Sequence, residues 1–294
     1  MQPAAVPMDA RRFEGYAGVS LCADVGGDAL APPVILMHGG GQTRHAWAEA
    51  AAALVRDGFH VVSLDLRGHG ESDWAGDGNY RFEAFVGDVK AVMSTLPSPP
   101  ALVGASLGGI VSLLLAGECA PNIVRALVLV DVTPRVEPTG ADLIRGFMQG
   151  TAKGFRDIDE AAAAVASYLP HRRKPKDVSG LMKNLRLNTD GRLYWHWDPR
   201  IMVRGLTSQI DGFKARMEEA LRNVTVPTLL IRGGLSELVS PQSVAEFRAL
   251  CPDAEYVDVP GAAHMVAGDR NTAFNDALID FLKRRIGESN KYRS

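Results

Sequence analysis

The chain has 294 residues, of which 46% are hydrophobic and 22% are charged, and its formal net charge is −2. These values are ordinary for a globular protein, and the apolar fraction is too high for a disordered chain. The near-neutral charge lacks the electrostatic footprint of a nucleic-acid-binding protein or of a polybasic membrane patch, so we expect neither partner.

The cysteines and the apolar runs indicate the compartment. Cys22, Cys119 and Cys251 are odd in number and far apart, which is typical of neither a disulfide framework nor a zinc site. The N-terminal residues contain no apolar core of signal-peptide length. The longest largely apolar run, Ile110–Ala116, is much shorter than a membrane span. We therefore expect a soluble, cytoplasmic protein with reduced thiols.

Strand-like and helix-like segments alternate along most of the chain. The early stretch Tyr16–Val25 predicts an antiparallel edge strand. Six later runs are mostly apolar throughout, as in parallel strands covered on both faces: Val34–Met37, His60–Leu64, Ala101–Val103, Val124–Val130, Thr228–Ile231 and Glu255–Val259. Five segments between them are long enough for helices: Trp47–Arg56, Phe82–Leu96, Leu107–Glu118, Pro241–Leu250 and Asn271–Arg285. This alternation predicts a doubly wound α/β sheet.

The alternation stops between Pro134 and about Val226. That region shows no convincing buried strand, is broken by prolines, and reads as several helices. We predict a core formed by residues 1–133 and 227–294 and a helical insertion at 134–226. A separate small domain is the alternative, but the core needs the strands that resume at Pro227.

The segment Gly104-Ala105-Ser106-Leu107-Gly108 follows a predicted strand and opens a predicted helix. In this context a G-x-S-x-G pattern is meaningful, because a sharp turn presents the serine hydroxyl at the top of the sheet. Large side chains two residues before or after the serine would collide, which Gly104 and Gly108 avoid. Helix N-terminal N–H groups also favour developing negative charge there. The pattern indicates Ser106 as a nucleophile; an ordinary glycine-rich turn with a capping serine is the alternative.

A serine hydroxyl needs a base to take its proton, and the chain offers seven histidines. His264 lies in Pro260–Met265, just after the last predicted strand. Open α/β sheets place their sites in such loops at the carboxyl ends of strands. His38 precedes three glycines and is expected to brace a loop, and His69 lies in a turn-rich connection. We therefore predict His264 as the base.

The base needs an acid that fixes its tautomer and stabilises the imidazolium. Glu237 follows the strand predicted to end at Ile231 and precedes His264, which gives the chain order serine, glutamate, histidine. Asp131 follows the strand predicted to end at Val130 and is the alternative acid, or else a helix cap or loop anchor. Both carboxylates would lie at the carboxyl edge of the sheet, and chain order favours Glu237.

Attack on a carbonyl creates an oxyanion, which two preorganised N–H groups can stabilise. Leu107, the residue after the predicted nucleophile, offers one of them. The second is expected from the loop His38–Gln42, whose three glycines let the backbone approach a ligand closely. The loop matches neither a phosphate-binding nor a dinucleotide-binding pattern.

Four segments together resemble the α/β-hydrolase superfamily in order and separation: His38–Gly41, Asp65–Ser72, Gly104–Gly109 and Gly261–His264. The resemblance spans about residues 16 to 286. It implies the α/β-hydrolase fold with a helical lid, and a serine hydrolase that needs no metal or organic cofactor. Ser106 matches the nucleophile and His264 the base of that family. Gly40 and Leu107 match its oxyanion-hole donors.

The sequence looks most like capped bacterial members described as esterases, epoxide-hydrolase-like proteins or cofactor-free haloperoxidases. It departs from the common pattern at Glu237, where aspartate is usual, and this keeps Asp131 open as the acid. Epoxide hydrolases and haloalkane dehalogenases of this architecture use an aspartate nucleophile, so Ser106 argues against both chemistries.

We expect hydrolysis of small-molecule carboxylic esters through an acyl-enzyme, in a pocket shaped by the lid. Trp195 and Trp197 suggest a largely hydrophobic substrate, although they are equally suited to pack the lid on the core. Gly41 and Met265 are further candidates for the pocket. The alternatives are carbon–carbon bond hydrolysis or perhydrolysis by the same triad, and a ligand receptor on the hydrolase fold. The sequence leaves the substrate's identity and the oligomeric state open.

Overall fold

The computed structural model describes residues 6–168, 178–202, 212–262 and 272–287. Within these ranges the chain forms an eight-stranded sheet and a separate two-stranded hairpin. The strands in chain order are β1 (Asp9–Glu14), β2 (Ser20–Gly26), β3 (Pro33–Met37), β4 (His60–Leu64), β5 (Ala101–Ala105), β6 (Ala126–Val130), β7 (Leu185–Leu187), β8 (Leu193–Trp195), β9 (Thr228–Gly233) and β10 (Glu255–Val259).

The large sheet has the strand order β1-β2-β4-β3-β5-β6-β9-β10. The pairs β1–β2 and β2–β4 are antiparallel, and the remaining pairs are parallel. Every residue of β3, β4, β5 and β6 is buried, as in parallel strands that helices cover on both faces. This confirms the predicted doubly wound, mostly parallel α/β sheet.

The edge of the sheet differs from the prediction. The predicted edge strand Tyr16–Val25 is β2, which begins at Ser20 and lies between β1 and β4. The edge strand is β1, five of whose six residues are exposed. Because β1 is held by backbone pairing to β2 and buries little, no apolar alternation marks it in the sequence.

Eight α-helices accompany the strands in the described ranges: α1 (Ala48–Arg56), α2 (Phe82–Met93), α3 (Leu107–Glu118), α4 (Pro138–Gly150), α5 (Ile158–Tyr168), α6 (Phe213–Arg222), α7 (Pro241–Leu250) and α8 (Thr272–Ile286). None of the helices in the described ranges is long and apolar enough to cross a bilayer. α1 and α8 pack on one face of the sheet, and α2, α3, α6 and α7 pack on the other.

Alternate residues of one parallel strand serve the two faces of the sheet. In β3, Val34 and Leu36 belong to the cluster with α1 and α8, whereas Ile35 and Met37 belong to the cluster with α2 and α3. The helices therefore hold the sheet from both sides and leave its carboxyl edge free for loops, which is where a doubly wound sheet carries its site.

The cap segment, which is the described part of residues 134–226, contains α4, α5, the β7–β8 hairpin and α6. Its helices agree with the prediction, but the hairpin was not expected from the sequence. Each of its strands has three residues, too few to show a two-residue period. α6 packs closely on α3, since a Cβ on Gly117 would collide with the backbone of Ala220. The division into core and insertion stays a prediction.

Candidate active site

Ser106 lies on a strained turn between β5 and α3. Its backbone has φ 46° and ψ −112°, a region that non-glycine residues rarely occupy. The turn is held from both sides, because the Ser106 N–H donates to Val130 O at 3.3 Å and the Ile110 N–H donates to Ser106 O at 2.9 Å. Strain of this kind persists only where the surrounding structure enforces it, and it is typical of functional sites.

Two glycines permit this turn, as the sequence predicted. A Cβ on Gly104 would collide with the backbone of Gly108, and a Cβ on Gly108 would collide with the carbonyl of Met37. Gly104 therefore lets β5 approach α3, and Gly108 lets α3 approach β3, more closely than a larger residue would allow. Ser106, at the carboxyl end of β5, lines a cavity.

The glycine loop after β3 lies beside Ser106. A Cβ on Gly39 would be 3.4 Å from the Cβ of Ser106. The Gly39 N–H donates to Gln42 Oε1 at 2.9 Å and the Gly41 N–H donates to His69 Nε2 at 3.1 Å. Between them, the Gly40 N–H has no acceptor among the residues that the structure describes.

Leu107 is the first residue of α3, and the N–H groups of a helix's first turn have no partner within the helix. The Gly108 N–H donates to His38 O at 3.1 Å, which ties the start of α3 to the glycine loop. Gly40, Ser106 and Leu107 all line one cavity. The two predicted oxyanion donors and the predicted nucleophile are thus brought together.

Two buried histidines hold the glycine loop in place. His38 Nε2 accepts from the Leu66 N–H at 3.0 Å, and its Nδ1 lies 2.8 Å from Gly39 O. His69 Nδ1 lies 3.0 Å from Arg67 O, and its Nε2 accepts from Gly41. Each ring therefore accepts through Nε2 and donates through Nδ1, which is the pattern of a neutral imidazole.

Burial lowers the pKa of His38 to about 4 and the pKa of His69 to about 3. Desolvation is the main cause for both rings, because each is completely buried and a charged imidazolium would lose its hydration. At neutral pH both rings are uncharged braces, which agrees with the bracing role expected for His38. The importance of His69 was not predicted, since its partner Gly41 is far away in the sequence.

Asp131 immediately follows β6 and lines the same cavity as Ser106. Its backbone also has positive φ, 51°, and its side chain is buried. Its carboxylate accepts from Ser236 Oγ at 2.6 Å and from the Gly233 N–H at 3.2 Å. A buried carboxylate fixed by two donors has the orientation and charge that a triad acid needs.

Glu237, the acid that chain order favours, lies in the loop after β9 and is exposed. Its negative charge acts together with burial to raise the pKa of Tyr168 to about 12, with burial the larger cause. Glu237 therefore lies close enough to influence the cap segment. The two residues after it, Leu238 and Val239, line the cavity.

The predicted base His264 and the pocket candidate Met265 lie outside the described residues. The described residues before His264 lie beside the loop whose Ser236 hydroxyl donates to Asp131. The Leu235 N–H donates to Ala262 O at 2.9 Å, and the Gly234 N–H donates to Val259 O at 2.9 Å. The segment that precedes His264 is thus attached to the loop that carries Ser236.

The cavity has a volume of about 610 Å³ and lies between the sheet edge and the cap segment. Gly41, Trp195 and Trp197, the predicted pocket residues that the structure describes, line it. Trp195 also packs the cap segment, because its Nε1 donates to Thr151 Oγ1 at 2.9 Å and its ring meets the Phe155 ring edge-on. These contacts of Trp195 lie within the cap segment, and its place in a substrate pocket stays a prediction.

Much of the cavity wall comes from helices that the sequence could not assign to it. The Phe147 ring stacks on the Tyr168 ring with centroids 4.4 Å apart, and Phe147 is 5.9 Å from the Trp195 ring. Met148 completes this aromatic and apolar wall. The apolar side of α4 was the available signal, but periodicity alone does not tell a cavity wall from a packed core.

The cap segment is attached to the core beside the glycine loop. After β8 the chain pairs with the turn that carries His69: the Gly70 N–H donates to His196 O at 2.7 Å, and the Asp198 N–H donates to Gly68 O at 2.8 Å. Trp197 forms a backbone bridge with His69 itself. One wall of the cavity is therefore fixed to the residue that holds Gly41.

One cluster has the donor atoms of a metal site, namely Cys22, Asp65 and Glu71. The Arg44 guanidinium occupies the position of the cation, since it contacts Asp65 and Glu71 at 2.5 Å each and Asp24 at 2.8 Å. These ion pairs lower the pKa of Glu71. The cluster is a charge network built around an arginine.

A family model described as "alpha/beta hydrolase fold" matches residues 32–270. The chain belongs to the α/β-hydrolase family. It is 32% identical over 269 residues to an esterase of Mycobacterium tuberculosis, covering 87% of this chain and 84% of the relative. It is 30% identical over 263 residues to an sn-1-specific diacylglycerol lipase of Mus musculus, covering 87% and 82%.

Among solved structures of this α/β-hydrolase family, E-2-(acetamidomethylene)succinate hydrolase superposes with a TM-score of 0.82 at 27% identity. The match covers 94% of this chain and 100% of the other chain. Relatives named esterase, lipase and hydrolase support a hydrolase. The expected fold and superfamily are confirmed.

Proposed function

We propose that this α/β hydrolase cleaves carboxylic esters through an acyl-enzyme, with Ser106 as the nucleophile. The observation that carries the proposal is the strained turn of Ser106 beside the Gly40 and Leu107 N–H groups in one cavity. A hydroxyl next to two backbone donors suits attack on a carbonyl, because the donors stabilise the charge that develops on its oxygen.

The proposed reaction has two steps. His264 takes the Ser106 proton as the oxygen attacks the acyl carbon, and it then protonates the leaving alcohol, which leaves an acyl-enzyme. In the second step His264 takes a proton from water, the water oxygen attacks the acyl carbon, and Ser106 recovers its proton as the acid product leaves. The Gly40 and Leu107 N–H groups hold the oxyanion in both steps.

We propose Asp131 as the acid that orients His264, in place of Glu237. Asp131 is buried, bonded to Ser236 and lines the cavity, whereas Glu237 is exposed. An ionised carboxylate stabilises an imidazolium best where water does not screen it. Chain order carries less weight than this geometry, since triads are recognised by the roles of their residues.

The aromatic and apolar wall favours a substrate with a hydrophobic acyl or alcohol group. The relatives named esterase and lipase support an ester as the bond cleaved. The cavity volume falls within the range of small-molecule sites. The three cysteines are free, which supports the proposed cytoplasmic location.

The test uses p-nitrophenyl esters and a fluorescent phosphonate that labels activated serines. The wild-type protein should hydrolyse the esters and take up the label, and Ser106→Ala should lose both. Ser94→Ala is the matched control, because Ser94 is exposed at the end of α2 and its hydroxyl bonds to Ala91 O. Unchanged turnover by Ser106→Ala would remove Ser106 from the mechanism.

A further inference from the structure

The ionisable side chains of the cavity wall are mostly basic. Among the described residues that line the cavity, His45, Arg145 and Lys183 are bases, and Asp131 is the carboxylate. Asp131 is engaged by Ser236 and Gly233 at the sheet edge. The remainder of the wall is largely apolar or aromatic.

Lys183 lies where the catalytic cavity adjoins a second, polar cleft of about 280 Å³. Lys183 and His45 line both spaces. Its neighbour Asn184 fixes the backbone at this point, because Asn184 Oδ1 accepts from Thr43 Oγ1 at 2.9 Å and its carbonyl accepts from the His196 N–H at 2.9 Å. The Lys183 side chain is exposed, and the backbone next to it is held in place by Asn184.

Three nearby carboxylates, Asp24, Asp65 and Glu71, share the guanidinium of Arg44. Glu71, in the polar cleft, contacts Arg44 at 2.5 Å, and Asp24 contacts Arg44 at 2.8 Å. Arg145 pairs with Asp142 at 2.6 Å. No carboxylate in the described ranges lies within ion-pair distance of Lys183.

We propose that the cavity selects esters whose acyl group ends in a carboxylate, with Lys183 as the main determinant and Arg145 as a second contributor. The inference rests on the proposed ester hydrolysis at Ser106. The apolar wall would hold the middle of the acyl chain, and Lys183 would attract its anionic end at the border of the cavity. Charges of one sign around a cleft with apolar walls raise the local concentration and the association rate of oppositely charged ligands.

The test compares p-nitrophenyl hexanoate with mono-p-nitrophenyl adipate, which has the same acyl length and ends in a carboxylate. The wild-type protein should show the higher kcat/KM for the adipate ester at low ionic strength, and added salt should reduce that preference. Lys183→Met should lower the adipate-to-hexanoate ratio of kcat/KM by roughly 3- to 10-fold, and Arg145→Met by a smaller factor.

The matched control is Lys90→Met, which makes the same change in net charge on the exposed side of α2. It should leave the ratio unchanged. Binding of the two esters to Ser106→Ala, measured by calorimetry, gives a second readout without turnover, and it should show the same preference for the adipate ester.

The outcomes separate the two proposals. A protein that hydrolyses neither ester and takes up no phosphonate overturns the proposed function and this inference with it. A protein that hydrolyses both esters with a ratio that Lys183→Met does not change overturns the selectivity alone. An equal loss of ratio in Lys90→Met would assign the effect to net charge and also overturn the role of Lys183.

Discussion

The Ser236 hydroxyl donates a hydrogen bond of 2.6 Å to Asp131 Oδ2. The same Ser236 oxygen accepts from the Leu238 and Val239 N–H groups at 3.2 and 3.1 Å. A hydroxyl that accepts from two backbone donors is polarised toward donating to a third group. The loop after β9 therefore fixes Asp131 through Ser236, while the next residue, Glu237, faces solvent.

This arrangement predicts opposite results for the two candidate acids. Asp131→Asn should lower kcat by roughly 10³- to 10⁴-fold, because an amide cannot stabilise the imidazolium of His264. Glu237→Gln should change kcat by less than about threefold, because an exposed carboxylate is screened by water. The measurement is steady-state hydrolysis of p-nitrophenyl butyrate at neutral pH, with circular dichroism to show that each variant is folded. A folded, inactive Glu237→Gln beside an active Asp131→Asn would restore Glu237 as the acid.

We predict that His69 affects catalysis through the glycine loop, without itself contacting the substrate's reacting atoms. His69→Gln should disturb the acceptor for the Gly41 N–H and so loosen the loop that carries Gly40. Because the oxyanion forms only during reaction, kcat should fall by roughly 10- to 100-fold while KM changes little. His196→Gln is the matched control, since His196 bonds to Gly70 O rather than to the glycine loop. A rise in KM with unchanged kcat would contradict the role of His69.

The sequence predicted those parts of the molecule that depend on local physics. The turn of Ser106 was predictable because steric crowding in a strand–turn–helix unit leaves glycine as the residue for positions 104 and 108. The parallel strands were predictable because burial on both faces makes them apolar throughout. Strand β1 was not, since an exposed edge strand is held by its backbone and needs no apolar pattern.

The missed parts of the site depend on contacts between distant segments. His69 reaches Gly41 across 28 positions, and Ser236 reaches Asp131 across 105. Chain order favoured Glu237 because it lies between Ser106 and His264 in the sequence. Only the packed structure shows that the Glu237 side chain is exposed and the Asp131 side chain is buried. The cavity wall formed by Phe147 and Tyr168 could not be predicted either, because a cavity wall and a packed core show the same apolar pattern in the sequence.

The two buried histidines predict how stability depends on pH. His38 and His69 have pKa values of about 4 and about 3 in the folded chain, below the ordinary value of 6.5. At a pH between these folded pKa values and the ordinary value, the unfolded chain binds more protons than the folded chain. The free energy of unfolding therefore falls as pH falls below about 6.5. Urea unfolding should show a loss of about 3 kcal/mol between pH about 7 and about 5, where most carboxylates stay ionised. His69→Gln should show roughly half of that pH dependence, and an unchanged slope would exclude His69 as a source.

The nucleophile turn predicts a large difference between two glycine-to-alanine substitutions on either side of the site. Gly104→Ala should destabilise the fold by roughly 2 to 4 kcal/mol, because its Cβ would collide with the Gly108 backbone and neither segment can move without shifting β5 or α3. Gly40→Ala is the matched control, since a Cβ there has no neighbour within 4 Å. It should stay within about 1 kcal/mol of wild type, as glycine-to-alanine changes do at compatible positions. Urea titrations followed by circular dichroism measure both values. A Gly104→Ala protein as stable as Gly40→Ala would show that the close approach of β5 and α3 does not depend on the glycine.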